Sequence, residues 1–433
     1  MKAHLQVLAA GLALATVLGV LTHRAVTRAN LPGRPTAEHW VLQDFRDAVY
    51  YPVVAFVHGR NPYDQEGQAR AYPVGQCFPL YLPLTLLAHL PFGLLPHAGA
   101  GAIYFVTTIV LTTMLAALAI GGAGERVAPA AVLALAAVLI ASRPGHMNLL
   151  LGQVTAQVAI GAYVALRWAR TRPLLAGLGL ALATLKPTYG VPLAALMLFG
   201  RGDVIAVAVG TAVSVALCLL ALVPLVHAAG GVVPFAASLA SSAGAFSAEG
   251  TSNAWSGFAR IDAVALLARV MRRVPDGWTE LALGLAIVGA GVVGLRRLRG
   301  DHSAPSEQLG IGLICLTVLV AMYHQAYDAL LLAQPAVALG AGRWGRDTVA
   351  PAALRWIVLG LLAVPAVNYL ATNTVASRLI VGSAAWLAIT AANPVALLAG
   401  WAVHLGLARR RQAHSSRSEP FASSSPSRLR ATG

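Results

Sequence analysis

Lys186 is the first residue to explain in this 433-residue chain. Of its 31 lysines and arginines, only Lys2 and Lys186 are lysines, and Lys186 stands in a Leu-Lys-Pro step inside apolar sequence. A lysine held at the centre of a bilayer costs about 2.5–3.5 kcal/mol unless an anion offsets it. A lipid phosphate is one such anion, and snorkelling to the interface is the plainer alternative. Asp44 and Asp47 lie one helical turn apart, a spacing that suits a general base beside a substrate or simply a solvated face. His324 and Asp328 are expected to share one face at the outer end of a helix, with the carboxylate holding the imidazole. Gln153 and Gln157 are amides in apolar surroundings, able to bond a neighbouring helix or a sugar hydroxyl. Arg143 lies in Ser142–Asn148, which reads as a compact external turn.

Membrane helices must position these groups. The chain is 58% hydrophobic and 11% charged, with a mean hydropathy of +0.70. Soluble domains carry about 25% charged residues, so soluble globular, fibrous and disordered classes are excluded. The apolar runs are continuous rather than alternating, which excludes a β-barrel. They recur from Leu5 to His404 and predict an all-α polytopic integral membrane protein with roughly 10–12 transmembrane or half-membrane helices. The net charge of +15 sits in short arginine clusters between these runs, such as Arg296, Arg297 and Arg299, Arg343 and Arg346, or Arg409–Arg411. That is the pattern of cytoplasmic loops rather than of a nucleic-acid surface. Cys77, Cys218 and Cys315 lack metal-ligand spacing.

Placing the Arg167–Pro173 turn in the cytoplasm fixes the remaining topology. The N-terminus falls inside, with Leu5–Leu21 as an uncleaved first span, and long external loops cover about 23–98 and 227–280. Leu174–Gly200 is too short for two full spans and reads as two half-length helices meeting at Lys186-Pro187. Phe45–Val57 is expected to lie in the membrane interface as a helix interrupted before Pro52. The run Phe78–Leu95, with Pro79, Pro83 and Pro91, reads as a short dipping helix. Tyr323-His324 is placed near the outer face, and Asn393-Pro394 reads as a break in the last apolar stretch. Gly289–Gly294 matches a dinucleotide fingerprint but has no preceding strand, and reads instead as a helix-packing face. Residues 1–411 form one transmembrane domain, and 412–433 a disordered cytoplasmic tail. The long external and short internal loops favour work at the outer face of the cytoplasmic (inner) membrane, with both termini cytoplasmic.

The ordered set Asp44-Phe45, Tyr50-Tyr51, Gly59, Asn61-Pro62-Tyr63, Tyr72-Pro73 and Leu90-Pro91-Phe92 resembles the start of glycosyltransferase family 87. Gly152-Gln153, Leu185-Lys186-Pro187 and His324…Tyr327-Asp328 resemble later blocks of that family, so the likeness runs to about residue 335. The resemblance implies a GT-C-type enzyme like the polyprenol-phosphate-mannose-dependent α-1,2-mannosyltransferases. The expected partners are a polyprenyl-phosphate-sugar donor, a glycolipid or glycan acceptor and membrane lipids. It implies Asp44 as catalytic base and His324 as a second functional residue; Asp47 is not part of the family pattern. From the chemistry of such a reaction, Lys186 and Arg143 are expected at the donor phosphate. Asp47, Tyr51, Tyr63, Gln153, Tyr327 and Asp328 are expected around the substrate, with no metal and no cofactor. The competing class is a transporter or lipid flippase with Lys186 as an intramembrane anion site.

Overall fold

The computed structural model describes residues 2–29, 39–76, 81–248, 250, 252–299, 301, 303–344 and 352–415. Cys77, the Phe78–Leu80 start of the proline-rich run, Arg346 and the greater part of the expected tail lie outside them. Among the described residues there is no strand, only two isolated bridges, Ala29 with Val41 and Arg260 with Gln325. The physical reason is the solvent: hydrocarbon offers no hydrogen bonds, so each spanning backbone must satisfy itself as helix.

Among the described residues, six helices are long and apolar enough to cross a membrane: Lys2–Thr27, His97–Gly122, Val204–Ala228, Gly277–Leu298, Ala304–Ala321 and the Ala384–Arg411 stretch of the last helix. A seventh crossing arises if Pro129–Ala141 and Arg143–Leu151, bent by 75°, are taken as one broken span. The protein is thus an all-α polytopic membrane protein. Ala304–Ala321 is buried along nearly its whole length and forms the axis of the bundle, whereas Lys2–Thr27 buries only Ala10 and Leu21 and stands at its rim. The Leu174–Gly200 region is broken as expected, with Pro173–Ala183 and Pro187–Ala195 flanking Lys186. The glycine run packs helices together. A methyl group on Gly291 would meet Thr317 and Leu196, and one on Gly294 would meet Leu313 and Leu405.

The basic helix ends meet at one face. Arg201 donates to the Leu166 carbonyl, Arg296 to that of Phe199, Arg343 pairs with Glu125, and Arg411 with Asp301. The Thr155–Trp168 helix runs from Gln153 to this face, about 20 Å of rise.

Four expectations are corrected. Ser142–Asn148 is not a turn but the start of the Arg143–Leu151 helix, because the Ser142 hydroxyl caps Gly145 N–H and Pro144 sits in the first turn, where no N–H is needed. Phe45–Val57 is not interrupted before Pro52: a π-helical turn at Phe45–Tyr50 passes directly into Tyr51–Val57, again with proline in the opening turn, and Phe45–Tyr50 is buried throughout. The last helix runs through Pro394 without a break. That proline leaves the Thr390 carbonyl without its helical donor, and Arg269 Nη1 supplies one at 2.8 Å; Asn368 Nδ2 serves Ile389 likewise at 3.0 Å. Finally, His324, fully buried within the protein, precedes a 3-10 segment, Ala326–Leu332, rather than sharing an α-helical face with Asp328.

Candidate active site

One cavity of about 770 Å³ opens at the end of the bundle away from the basic face. Its wall contains Asp44, Arg143, Gln153, Lys186 and Tyr327 from the expected residues, together with Gln43, Gln76 and Tyr81. Aromatic rings with amide and hydroxyl groups between them suit a sugar, whose faces are apolar and whose edges are polar.

Asp44 is placed by two close approaches. Leu42 N–H donates to the Leu150 carbonyl at 2.6 Å, with Leu42 held at φ 58°. Gly152 then packs on Phe45: it has φ 74°, and a Cβ there would stand 2.5 Å from the Phe45 Cβ, so only glycine fits on both counts. The result brings the Gln153 amide against Asp44, Nε2 donating to Oδ2. A carboxylate accepts only, so the other end of the amide, Oε1, faces away and lies 3.4 Å from the Tyr81 hydroxyl. Although Asp44 opens the helical segment, its side chain does not cap it; the carboxylate is turned to the cavity.

Two residues along from Gln153, Thr155 enters a second cluster. Its hydroxyl donates to Asp328 Oδ1 at 3.0 Å, and Lys186 Nζ reaches the same oxygen at 2.6 Å. The Tyr189 hydroxyl stands 3.2 Å from it and 3.0 Å from the Asp328 carbonyl. Oδ2 receives the Gln325 N–H at 3.0 Å and faces His324 Nδ1 at 3.1 Å. Lys186 thus has its anion within the protein. It also lies over the Tyr327 ring, 4.6 Å from the centroid. Breaking such a pair by removing one member costs about 3–5 kcal/mol, so this cluster fixes the spatial relation of three chain segments.

Other expected residues act at one remove. Asp47 is saturated by Arg46, at 2.7 and 2.9 Å, and by the N–H groups of Gly75 and Gln76. Burial pushes its carboxyl above the usual range against the pull of Arg46. Its contribution is to hold Gln76 in the cavity wall. The Tyr63 hydroxyl donates to the Tyr81 carbonyl at 2.6 Å, and Tyr51 stacks between Tyr72 and His97; neither lines the cavity. Arg143 is on the wall but at the opposite end of its helix from Gln153, with Nη2 donating to the Ala371 carbonyl.

Sequence reasoning missed the strap that covers the site. Ile261 N–H donates to the His324 carbonyl at 3.0 Å and Ala326 N–H to that of Ala259 at 2.9 Å. Arg260 pairs with both oxygens of Asp262 at 2.9 Å and lies over Tyr323. Burial opposes charge on Asp262, yet Arg260 and the capped Ala265 N–H hold its carboxyl below the usual range. An available signal was the Arg-Ile-Asp spacing before Ala263–Met271, an N-cap aspartate next to a charged partner. Among the described residues, no three His, Cys, Asp or Glu side chains converge as metal ligands would.

Residues 80–323, more than half of the chain, match the family model of glycosyltransferase family 87. The chain belongs to that family. It is a multi-pass membrane glycosyltransferase. Searches of curated proteins and of solved structures returned no match. The matched stretch of this family 87 protein contains Arg143, Gln153 and Lys186; Asp44 precedes it and His324 follows it by one residue.

Proposed function

We propose that the protein transfers a sugar, mannose in the first instance, from a polyprenyl-phosphate-sugar donor to a lipid-linked or glycan acceptor. It would do so with inversion, as a GT-C-type enzyme, at the extracytoplasmic face of the cytoplasmic membrane, with both termini inside. The observation that carries the reading is that a carboxylate, Asp44, and a lysine, Lys186, line one cavity, Asp44 bonded by Gln153 and Lys186 tied through Asp328 to Thr155 two residues on. The clustered arginines at the opposite face support the orientation.

The reaction needs a base and an electrostatic partner for a leaving phosphate. The acceptor oxygen attacks the anomeric carbon, and its proton passes to Asp44. The bond from that carbon to the phosphate oxygen breaks, and its electron pair leaves on polyprenyl phosphate. A single displacement inverts the centre. Lys186 stabilises the charge that develops on the phosphate, while Asp328 and His324 hold Lys186 in place. The donor carries its own activation, so the proposal includes no cofactor and no metal. Asp47 and Tyr63 support the substrate through Gln76 and Tyr81, Tyr51 packs behind them against Tyr72 and His97, and Tyr327 and Gln153 face it.

The test is transfer of radiolabelled mannose from polyprenyl-phosphate-mannose to a panel of glycolipids in nanodiscs. Transfer with inverted stereochemistry, insensitive to chelators, supports the proposal. Substrate-dependent flux in liposomes without transfer would support the transporter reading in its place.

A further inference from the structure

Arg143 is the cation that the reaction just described leaves over. It is fully buried, yet its Nε and Nη1 have no hydrogen-bond partner, and it lies on the cavity wall. Buried guanidinium groups are normally satisfied, so an orphaned one marks a place where an anion or ordered water belongs. Two more basic groups stand beside it on the wall. Arg24 Nη1 lies 3.2 Å from His146 Nε2, and Arg24 also covers Trp40. Among the described residues, Asp44 is the one carboxylate on the cavity wall.

Asp44 is at the other end. The donor phosphate must lie within a few ångströms of Asp44, since the attacking oxygen stands about 3 Å from both base and anomeric carbon. The nine-residue Arg143–Leu151 helix separates that point from Arg143, a rise of about 12 Å. Helical side chains lean toward the N-terminus, and Arg143 Nη2 is engaged by the Ala371 carbonyl. Lys186 is therefore left to the donor phosphate, and Arg143 to a position a helix length away on the same wall.

We propose that Arg143, with Arg24 and His146, forms a second anion site for a lipid-borne phosphate ester, about 12 Å of helix rise from the Gln153 end of the cavity where Asp44 lies. The site is adjacent to Lys2–Thr27, the rim helix that faces lipid. A phosphate there comes either from the acceptor's own headgroup or from a phospholipid. The distance then sets a ruler: on an acceptor, the phosphate and the nucleophilic hydroxyl are separated by about two sugar rings. This inference rests on the proposed reaction for its ruler, but not for the site itself.

The full chain in phosphatidylcholine nanodiscs is titrated with dioctanoyl phosphatidate, with dioctanoylglycerol as the uncharged control, and thermal unfolding is read. Phosphatidate alone is expected to raise Tm in wild type and in Asp44→Asn. Arg143→Gln and the exposed Arg24→Gln are expected to weaken that response about tenfold, and Arg143→Lys to recover part of it. In transfer assays, Arg143→Gln is expected to raise KM about tenfold for a phosphorylated acceptor, leaving donor KM within about twofold. Sensitivity confined to phosphorylated acceptors assigns the site to the acceptor; weakened phosphatidate binding with unchanged acceptor KM assigns it to a phospholipid. An undiminished phosphatidate response in both arginine variants, or a rise in donor KM in place of acceptor KM, would overturn the proposal. The binding titration needs no sugar transfer, so the site stands or falls separately from the reaction.

Discussion

Asp44 and Asp328 are both buried aspartates served by the same short segment, Gln153 to Thr155, and they do opposite things. Asp328 accepts from Lys186, Thr155 and the Gln325 N–H, and faces His324 and Tyr189. It has no place on the cavity wall. Asp44 does not cap its own helix and lines the cavity, with an oriented amide at Oδ2. Asp328 is taken up in holding chain segments together, whereas Asp44 faces the space a substrate would fill. Asp47 falls on the scaffold side of that line despite lying one turn from Asp44, because Arg46 and two backbone N–H groups complete it.

The largest expected effect comes from Asp44→Asn. It removes the base while keeping shape and the hydrogen-bonding edge, so transfer should fall by about 10²–10⁴-fold, with Tm within a few degrees of wild type. Next is Lys186→Met, which strands Asp328 and should cost about 3–5 kcal/mol of stability. The double variant Lys186→Met, Asp328→Asn should recover much of that loss in a denaturation series and none of the transfer, which separates scaffold from charge. A double variant that recovered transfer would remove Lys186 from the chemistry.

Gln153→Leu sharpens the comparison at Asp44. Losing the donor to Oδ2 disfavours the ionised carboxylate, so kcat should fall about 10-fold and the acid limb of the pH–rate profile should move to higher pH. A smaller effect lies at the opposite face. Asp301 accepts from the Ser303 N–H at 2.9 Å and pairs with Arg411 at 3.1 Å. Partial burial opposes its charge, but Ser306, Ser303 and Arg411 together hold its carboxyl down at about 2. A depressed carboxylate contributes stability above its unfolded value of about 4, and that contribution is lost as pH falls from there through about 2. Asp301→Asn should flatten the acid end of a Tm–pH curve without altering transfer at neutral pH.

The membrane class was legible because continuous apolar runs have one physical solution in lipid, and so was the half-helix break, since Lys186-Pro187 interrupts helical hydrogen bonding at a charge. Ser142-Arg-Pro-Gly carried a readable N-cap signal that was outweighed by its polarity. Pro394 misled for a definite reason: its cost is met by Arg269, a residue 125 positions earlier, and no local pattern shows such a partner. The pairing of Lys186 with Asp328 likewise depends on tertiary contact. Composition foretold that the lysine needed an anion but not which one. The contact of His324 with Asp328 was expected from spacing, although a 3-10 turn rather than an α-helical face delivers it.

The most direct measurement is mannose transfer by purified wild type and Asp44→Asn in the same nanodiscs, with equal Tm established first. The account expects transfer from polyprenyl-phosphate-mannose by wild type and its near-complete loss in the variant. Equal transfer by both proteins would contradict it and place the base elsewhere on the cavity wall.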